Sequence, residues 1–262
     1  MATPKPIDVY YRIEGPAGAP VLVLSHALGL SLAMWDPQLA RLSQNLRVIR
    51  YDHRGHGGSP VPLGPYTIGD LGRDLLRLLD RLALERVAFC GVSLGGMVGL
   101  WLAANAPERV DRLVACGAAA RMPRPEDYAA RAKLVRQQGM AAIADAVIGR
   151  WFTPAFPAGR PDVVASIKAL LLATQPEGYA GACEAIASMD LREDLPRIGA
   201  PTLLIAGAED PATPPELSRE IARRMASGEV VVIPGASHLA TVEQPEAITD
   251  LILDHVTARG SA

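Results

Sequence analysis

Short apolar runs alternate along the chain with longer segments of helical periodicity. A continuous apolar run indicates a strand buried on both faces, since a strand with one solvent face would alternate apolar and polar residues. A looser alternation over residues 7–13 predicts an edge strand or hairpin arm. We therefore predict a parallel sheet from runs at residues 21–24, 47–51, 86–90, 113–116, 202–206 and 230–233.

Helical patterns fill the intervals between these runs. Leucines at 71, 75, 78 and 82 recur at helical spacing, with charged residues on the opposite side. Residues 94–106 are small and apolar nearly all round, which predicts a buried helix, and residues 245–256 predict a final helix against the sheet. Strands that alternate with helices are typical of an α/β fold with helices on both faces of the sheet.

One long region lacks strand runs. Residues 122–189 contain only helical stretches, at 127–138, 140–150, 162–173 and 177–187, before the sheet pattern resumes. We predict that residues 1–121 and 190–262 form an α/β core and that residues 122–189 form an inserted helical lid, called the cap below. Helical insertions of this kind usually lie over a substrate site.

Composition excludes several classes of protein. The 262 residues are 49% hydrophobic and 21% charged, which fits a globular domain and not a disordered chain. The net charge is -2, without the basic excess expected of a nucleic-acid binder. No apolar stretch is long enough to span a membrane, and the first residues lack a secretory pattern. The 3 cysteines, widely spaced, indicate free thiols. We therefore expect a cytoplasmic protein.

Ser93 is the strongest candidate for a nucleophile. It lies in Gly91-Val92-Ser93-Leu94-Gly95, between a predicted strand and a predicted helix. A G-x-S-x-G sequence at that position forms a tight turn that presents the hydroxyl at the carboxyl edge of the sheet, and the glycines allow the close backbone approach.

A serine nucleophile needs a base and an acid that orients the base. His238 follows the last predicted strand and precedes the final helix, so it reaches the same sheet edge. Asp210 follows the strand at 202–206 and is the preferred acid, with Glu209 as the alternative. The order Ser93, Asp210, His238 is that of α/β-hydrolases.

Backbone donors would stabilise the oxyanion. The amide of Leu94 follows the nucleophile at the positive end of a helix. The second donor belongs to the loop after the first buried strand, where we prefer Leu28 and keep Ala27 as the alternative.

The sequence predicts neither a cofactor nor a metal. It has no phosphate-binding loop and no His, Cys or Asp cluster at metal-ligand spacing. The expected partner is a small ester or lactone substrate, with no nucleic acid and no membrane. The oligomeric state stays open.

Five motifs are spread along the chain, at Met34–Gln38, Gly91–Met97, Arg150–Pro154, Gly178–Ala180 and Met189–Arg192. With these motifs, nearly the whole chain resembles the 3-oxoadipate enol-lactonases, within the α/β-hydrolase superfamily. The motifs in the cap are the specific ones, because those in the core occur throughout the superfamily. One departure is Ser25–Leu30, where the family commonly reads Ser-Asn-Ser-Leu-Gly-Thr.

The resemblance implies a fold, an activity and a substrate. The fold would be that of the α/β-hydrolases. The activity would be the cofactor-free opening of 3-oxoadipate enol-lactone to 3-oxoadipate through an acyl-enzyme, a step of aromatic catabolism. That substrate carries a carboxylate, so a cation or donor in the cap would bind it. Arg136, Arg150 and the Trp151 indole are the candidates.

Other functions remain open at this point. The same three residues serve carboxylesterases, carbon–carbon bond hydrolases and cofactor-free perhydrolases, and the shape of the cap decides among them. A hydrolase-fold binding protein with little turnover is the alternative from outside the enzymes.

Overall fold

A seven-stranded sheet forms the centre of the molecule. The structure is a computed structural model and describes residues 5–258. The strand order is β1-β3-β2-β4-β5-β6-β7, and β1 is the antiparallel strand at the edge. The strands are β1 (Tyr11–Glu14), β2 (Val21–Ser25), β3 (Arg47–Tyr51), β4 (Val87–Val92), β5 (Val110–Cys116), β6 (Thr202–Gly207) and β7 (Gly228–Ile233).

Burial along the strands explains why the sequence pattern predicts them. Every residue of β4 and of β6 is buried, as the continuous apolar runs require. β1 is only half-buried and pairs with β3 alone. The mostly parallel sheet predicted from the sequence is confirmed.

The order of the strands determines where a crevice for a ligand forms at the edge of the sheet. From β2 the chain passes outward to β3 and then crosses back to β4 on the other side of β2. Where the direction of winding reverses, the connections after neighbouring strands diverge and leave a crevice at the carboxyl ends. The loops after β2 and β4 both emerge there.

Helices surround the sheet, and α3 is buried almost completely, as its apolar composition predicts. α2 packs on α3, and α11 packs on β5 and α1. Within residues 5–258, no helix is both long and apolar enough to cross a membrane. The helices are α1 (Asp36–Leu42), α2 (Ile68–Arg81), α3 (Leu94–Asn105), α4 (Pro125–Gln138), α5 (Ala141–Trp151), α6 (Phe156–Gly159), α7 (Pro161–Ala173), α8 (Pro176–Ser188), α9 (Pro215–Arg223), α10 (Ala240–Glu243) and α11 (Pro245–Thr257).

The segment between β5 and β6 consists of helices α4–α8 and the turns between them. One contact between this segment and the core is made by backbone alone. A Cβ atom added to Gly178 on α8 would lie 1.9 Å from the carbonyl oxygen of Gly55. A side chain at that position of the helix would therefore separate the two chain segments. That the cap acts as a lid stays a prediction.

The cysteines are Cys90, Cys116 and Cys183, and all of them are free and buried. Burial raises the pKa of Cys183 to about 12 and raises the pKa of Cys90 well above its ordinary value. The thiols of Cys90 and Cys183 are therefore protonated at neutral pH and serve as small apolar side chains.

Candidate active site

Ser93 lies at the sharp turn between β4 and α3. Its φ is 53° and its ψ is -113°, a conformation that a residue with a Cβ atom rarely adopts. The turn is held by the Ser93 N–H, which donates to the carbonyl of Cys116 at 2.8 Å. Such strain costs about 1–3 kcal/mol and is typical of functional positions.

The two glycines beside Ser93 are needed for space. A Cβ atom on Gly91 would lie 2.2 Å from the carbonyl carbon of Gly95, and one on Gly95 would lie 2.3 Å from the carbonyl oxygen of Ser25. Both distances are far below van der Waals contact, so the turn excludes any larger residue.

Asp210 and His238 form a buried pair. Nδ1 of His238 donates to Oδ2 of Asp210 at 2.7 Å. Because the proton sits on Nδ1, the neutral ring leaves Nε2 as an acceptor, which a general base requires. Ser93 and His238 line the same cavity of about 230 Å³.

The turn after β6 encloses Asp210 and leaves Glu209 outside. Oδ1 of Asp210 accepts from the backbone amides of Ala212 and Thr213, at 2.8 and 2.9 Å. Burial acts to raise the pKa of Asp210, but His238 and the Thr213 donors outweigh it and hold that pKa below its usual value. Glu209, in contrast, is exposed.

The loop after β2 has one amide without a partner at the cavity. The Ala27 N–H donates to Sδ of Met34 at 3.3 Å, and the Gly29 N–H donates to Nε2 of His56 at 3.0 Å. Among residues 5–258, no acceptor is found for the N–H of Leu28, which lines the cavity. These contacts favour Leu28 over Ala27 as the second oxyanion donor. Leu94, the other predicted donor, is the first residue of α3, where a helix has no internal acceptor for its N–H.

His26 and His56 hold this loop in place as neutral rings. Nδ1 of His26 donates to the carbonyl of Ala27 at 2.8 Å, and its Nε2 accepts from the N–H of His53 at 3.0 Å. His56 likewise accepts from Gly29 and donates from Nδ1 to the carbonyl of Arg54 at 3.1 Å. A second proton on either ring would remove the acceptor that its backbone partner needs.

The histidine cluster predicts that acid unfolds the protein. Burial lowers the pKa of His26 to about 4 and of His56 to about 3, and it also lowers the pKa of His53. In the unfolded chain these groups bind protons near pH 6.5. Unfolding therefore takes up protons below pH 6.5, and stability decreases until the folded-state pKa values are reached. The expected slope is up to about 1.4 kcal/mol per pH unit for each histidine.

Urea unfolding of wild type and of His56→Gln between pH 7.5 and 5 measures this slope. Glutamine can still accept from Gly29 but does not titrate, so the variant should lose about a third of the slope assigned to the three rings. Equal slopes in the two proteins would show that His56 does not contribute.

Three arginines line the cavity, Arg124, Arg131 and Arg150, and the sequence predicts only Arg150. Arg124 forms an ion pair at 2.9 Å with Asp127, which also lines the cavity. Arg150 lies at the end of α5 and Arg131 on α4, with the Arg131 guanidinium over the Tyr128 ring at 4.8 Å. Among residues 5–258, no carboxylate oxygen lies within 4.0 Å of either guanidinium. Burial and the charge of Arg131 lower the pKa of Arg150. This pair of positive charges favours an anionic ligand.

The structure does not place Arg136 at the cavity, which corrects the prediction that it binds substrate. Nε and Nη2 of Arg136 each lie 2.8 Å from Glu177, and Glu184 accepts a further hydrogen bond at 3.0 Å. These carboxylates already satisfy its charge on the outside of the cap. Arg131, which the sequence does not single out, lies five residues before Arg136 on the same helix. That spacing directs the two side chains about 140° apart, so one lines the cavity while the other lies outside it.

Trp151 lines the cavity beside Arg150, and its role in binding substrate stays a prediction. Tyr128 and Tyr179 form further parts of the wall. The cavity thus combines an aromatic surface with the guanidinium groups of Arg131 and Arg150. Within residues 5–258, no group of three or more His, Cys, Asp or Glu side chains could hold a metal ion.

Comparisons with known proteins identify the family and the fold. Residues 20–245 match a family described as having the alpha/beta hydrolase fold. The chain is 40% identical to 3-oxoadipate enol-lactonase 2 of Acinetobacter baylyi over 250 residues, which cover 95% of this chain and 93% of the relative.

Two solved structures are also similar. The enol-lactonase from Burkholderia xenovorans LB400 superposes with a TM-score of 0.93 at 44% identity, covering 95% of this chain and 96% of that one. A thermophilic esterase from Thermogutta terrifontis, solved with malate bound, gives a TM-score of 0.88 at 33% identity, with 94% and 92% covered.

Proposed function

The chain belongs to the α/β-hydrolase family and is an ester or lactone hydrolase, and we propose that it opens a carboxylated enol-lactone, 3-oxoadipate enol-lactone, through an acyl-enzyme on Ser93. The observation that carries the proposal is the shared cavity. It brings Ser93 and His238 together with the guanidinium groups of Arg131 and Arg150, neither of which has a carboxylate oxygen within 4.0 Å among residues 5–258. The third arginine of the cavity, Arg124, is paired with Asp127.

In the first half of the reaction, Oγ of Ser93 attacks the lactone carbonyl while Nε2 of His238 accepts its proton. Asp210 keeps the ring in the required tautomer and stabilises the imidazolium ion. The carbonyl oxygen gains negative charge, which the amides of Leu28 and Leu94 stabilise. The ring C–O bond then breaks, and the enol oxygen takes the proton from His238.

In the second half, a water molecule loses a proton to His238 and attacks the acyl carbon. The bond to Oγ breaks, the serine recovers its proton, and the freed enol tautomerises to the ketone. An enolate is a better leaving group than a simple alkoxide, so acylation does not need a metal to assist it. Each step uses only side chains, backbone amides and water.

Arg131 and Arg150 would bind the carboxylate of the substrate. Two nearby cations repel each other, and an anion between them removes the repulsion while forming charge-assisted hydrogen bonds. The aromatic wall of Tyr128 and Trp151 would cover the apolar part of the substrate. Neutral esters lack the anion and therefore leave this part of the cavity unused.

The test is the decay of the ultraviolet absorbance of 3-oxoadipate enol-lactone, measured beside hydrolysis of p-nitrophenyl acetate. We expect a kcat/KM above about 10⁴ M⁻¹s⁻¹ for the lactone, well above the value for the neutral ester. A slow reaction with the lactone and a fast one with the ester would keep the serine mechanism and reject this substrate.

A carboxylated ester is the second candidate substrate. It fits the same pair of cations, and the similar esterase was solved with malate, a dicarboxylate. A hemisuccinate ester would distinguish the two, because a lactonase should favour the enol-lactone while an esterase should favour the open-chain ester.

The arginines should control preference between charged and neutral substrates. Arg131→Gln and Arg150→Gln should each raise KM for the carboxylated lactone about tenfold to a hundredfold, since a hydrogen bond to a charged group contributes about 1.5–3 kcal/mol. The kinetics with p-nitrophenyl acetate should change less than about threefold. Arg136→Gln is the matched control, because its charge lies outside the cavity. An equal loss on both substrates would contradict the assignment.

A further inference from the structure

Both neighbours of His238 in the chain are hydrogen-bonded to the cap. Oγ of Ser237 donates to the carbonyl of Arg150 at 3.2 Å, and the N–H of Leu239 donates to the carbonyl of Trp151 at 3.0 Å. Arg150 and Trp151 line the cavity together with His238. The loop that carries the proposed base is thus fixed to the end of α5.

Glu243, one turn farther along, strengthens the same connection. Its Oε1 accepts from both N–H and Oγ1 of Thr153, each at 2.8 Å, and its Oε2 accepts from the N–H of Ser237 at 2.5 Å. One carboxylate thereby joins the residue before His238 to the turn that follows α5. The three donors are neutral, so this carboxylate is held by hydrogen bonds and not by a cation.

We propose that Glu243 is a positioning residue, which makes the His238 loop and the cap wall at Arg150 and Trp151 one rigid unit. The proposal rests on the function proposed above, in which His238 is the base. It implies that the cap does not move away from His238 at the α5 end when substrate enters. The distance between the base and the bound carboxylate is then set by the protein and not by the substrate.

The physical reason lies in the precision that proton transfer needs. A displacement of about 1 Å at a catalytic group can reduce the rate a hundredfold. Glu243→Gln replaces one oxygen by an NH₂ group, which cannot accept from the N–H of Ser237 or from Thr153. The amide can point its NH₂ group toward Ser237 or toward Thr153. In each orientation, the NH₂ group faces another hydrogen-bond donor, and the hydrogen bond on that side is lost.

The experiment compares Glu243→Gln with Glu246→Gln in the full chain, using p-nitrophenyl acetate and 3-oxoadipate enol-lactone. Glu246 is exposed on the next helix and serves as the control. For Glu243→Gln we expect kcat to fall roughly tenfold to a hundredfold on both substrates, because His238 shifts. We also expect KM to rise for the lactone only, because Arg150 shifts. Unchanged kcat with a lower melting temperature would overturn the proposal.

Thr153 provides a second test that does not depend on the stability of the Glu243 variant. Thr153→Val removes one hydroxyl donor, so kcat should fall in the same direction by about threefold to tenfold. Thr153→Ser restores the hydroxyl and should restore kcat. In the Glu243→Gln background, Thr153→Val should have no additional effect, because both changes remove the same contact. Full activity of Thr153→Val, or simple additivity, would reject the coupling.

His238→Ala separates failure of this proposal from failure of the proposed function. If His238→Ala still hydrolyses p-nitrophenyl acetate at the wild-type rate, the assignment of the base is wrong. If His238→Ala is inactive while Glu243→Gln is fully active, only the positioning role of Glu243 is wrong.

Discussion

Ser93→Ala is expected to lower kcat by about 10⁴- to 10⁶-fold on esters and lactones alike. Without the hydroxyl no acyl-enzyme forms, and the remaining rate comes from the oxyanion donors and from binding. The fold should persist, because alanine and serine have the same Cβ atom and meet the same strain at a φ of 53°. Steady-state kinetics with p-nitrophenyl acetate and thermal unfolding provide the two measurements.

Ser166→Ala is the matched control for this prediction, since Ser166 is exposed on α7 and outside the cavity. A fluorophosphonate probe gives an independent readout by mass spectrometry. Wild type and Ser166→Ala should each gain one label, on Ser93, and Ser93→Ala should gain none. A Ser93→Ala enzyme that retains more than a tenth of the wild-type kcat would exclude the serine mechanism.

Asp210→Asn is expected to lower kcat by about 10⁴-fold. Asparagine can keep the hydrogen bonds from Ala212 and Thr213 through its oxygen, which turns its NH₂ group toward His238. The ring must then accept at Nδ1 and carry its proton on Nε2, so it cannot take the proton of Ser93. The expected signature is a large fall in kcat with little change in stability.

Glu209→Gln is the control for Asp210→Asn, because the two carboxylates are neighbours in the chain and only Asp210 contacts His238. We expect Glu209→Gln to keep kcat within about twofold of wild type. A large loss in Glu209→Gln, with activity retained in Asp210→Asn, would transfer the role of the acid to Glu209.

The strands and the serine turn could be predicted because they depend on local pattern. Each buried strand appears as a continuous apolar run, and Ser93 lies between such a run and an apolar helix, so strand, turn and helix support one another. Asp210 could be preferred but not separated from Glu209. That choice depends on which side chain the amides of Ala212 and Thr213 enclose, and such a turn leaves no periodic signal.

The contents of the cavity were harder to predict, because they depend on contacts between distant segments. Arg136 was a candidate and Arg131 was not, because the sequence does not show which side of α4 faces the cavity. The helix is only weakly amphipathic, so its apolar residues do not mark that side. The oxyanion donors posed a similar problem. A backbone amide has no side chain that identifies it. Only the structure shows that the N–H groups of Ala27 and Gly29 have acceptors, while none is found for the N–H of Leu28 among residues 5–258.

The contact between Gly55 and Gly178 has a consequence for the design of chimeric enzymes. It joins core and cap without a side chain on either partner, so the two glycines are a shared requirement of two segments that are far apart in the chain. A cap transplanted from a relative would dock in the same position only if it carries glycine at the place of Gly178, whatever its other residues. Specificity could therefore be altered by exchanging whole caps, provided that this one junction is transplanted unchanged.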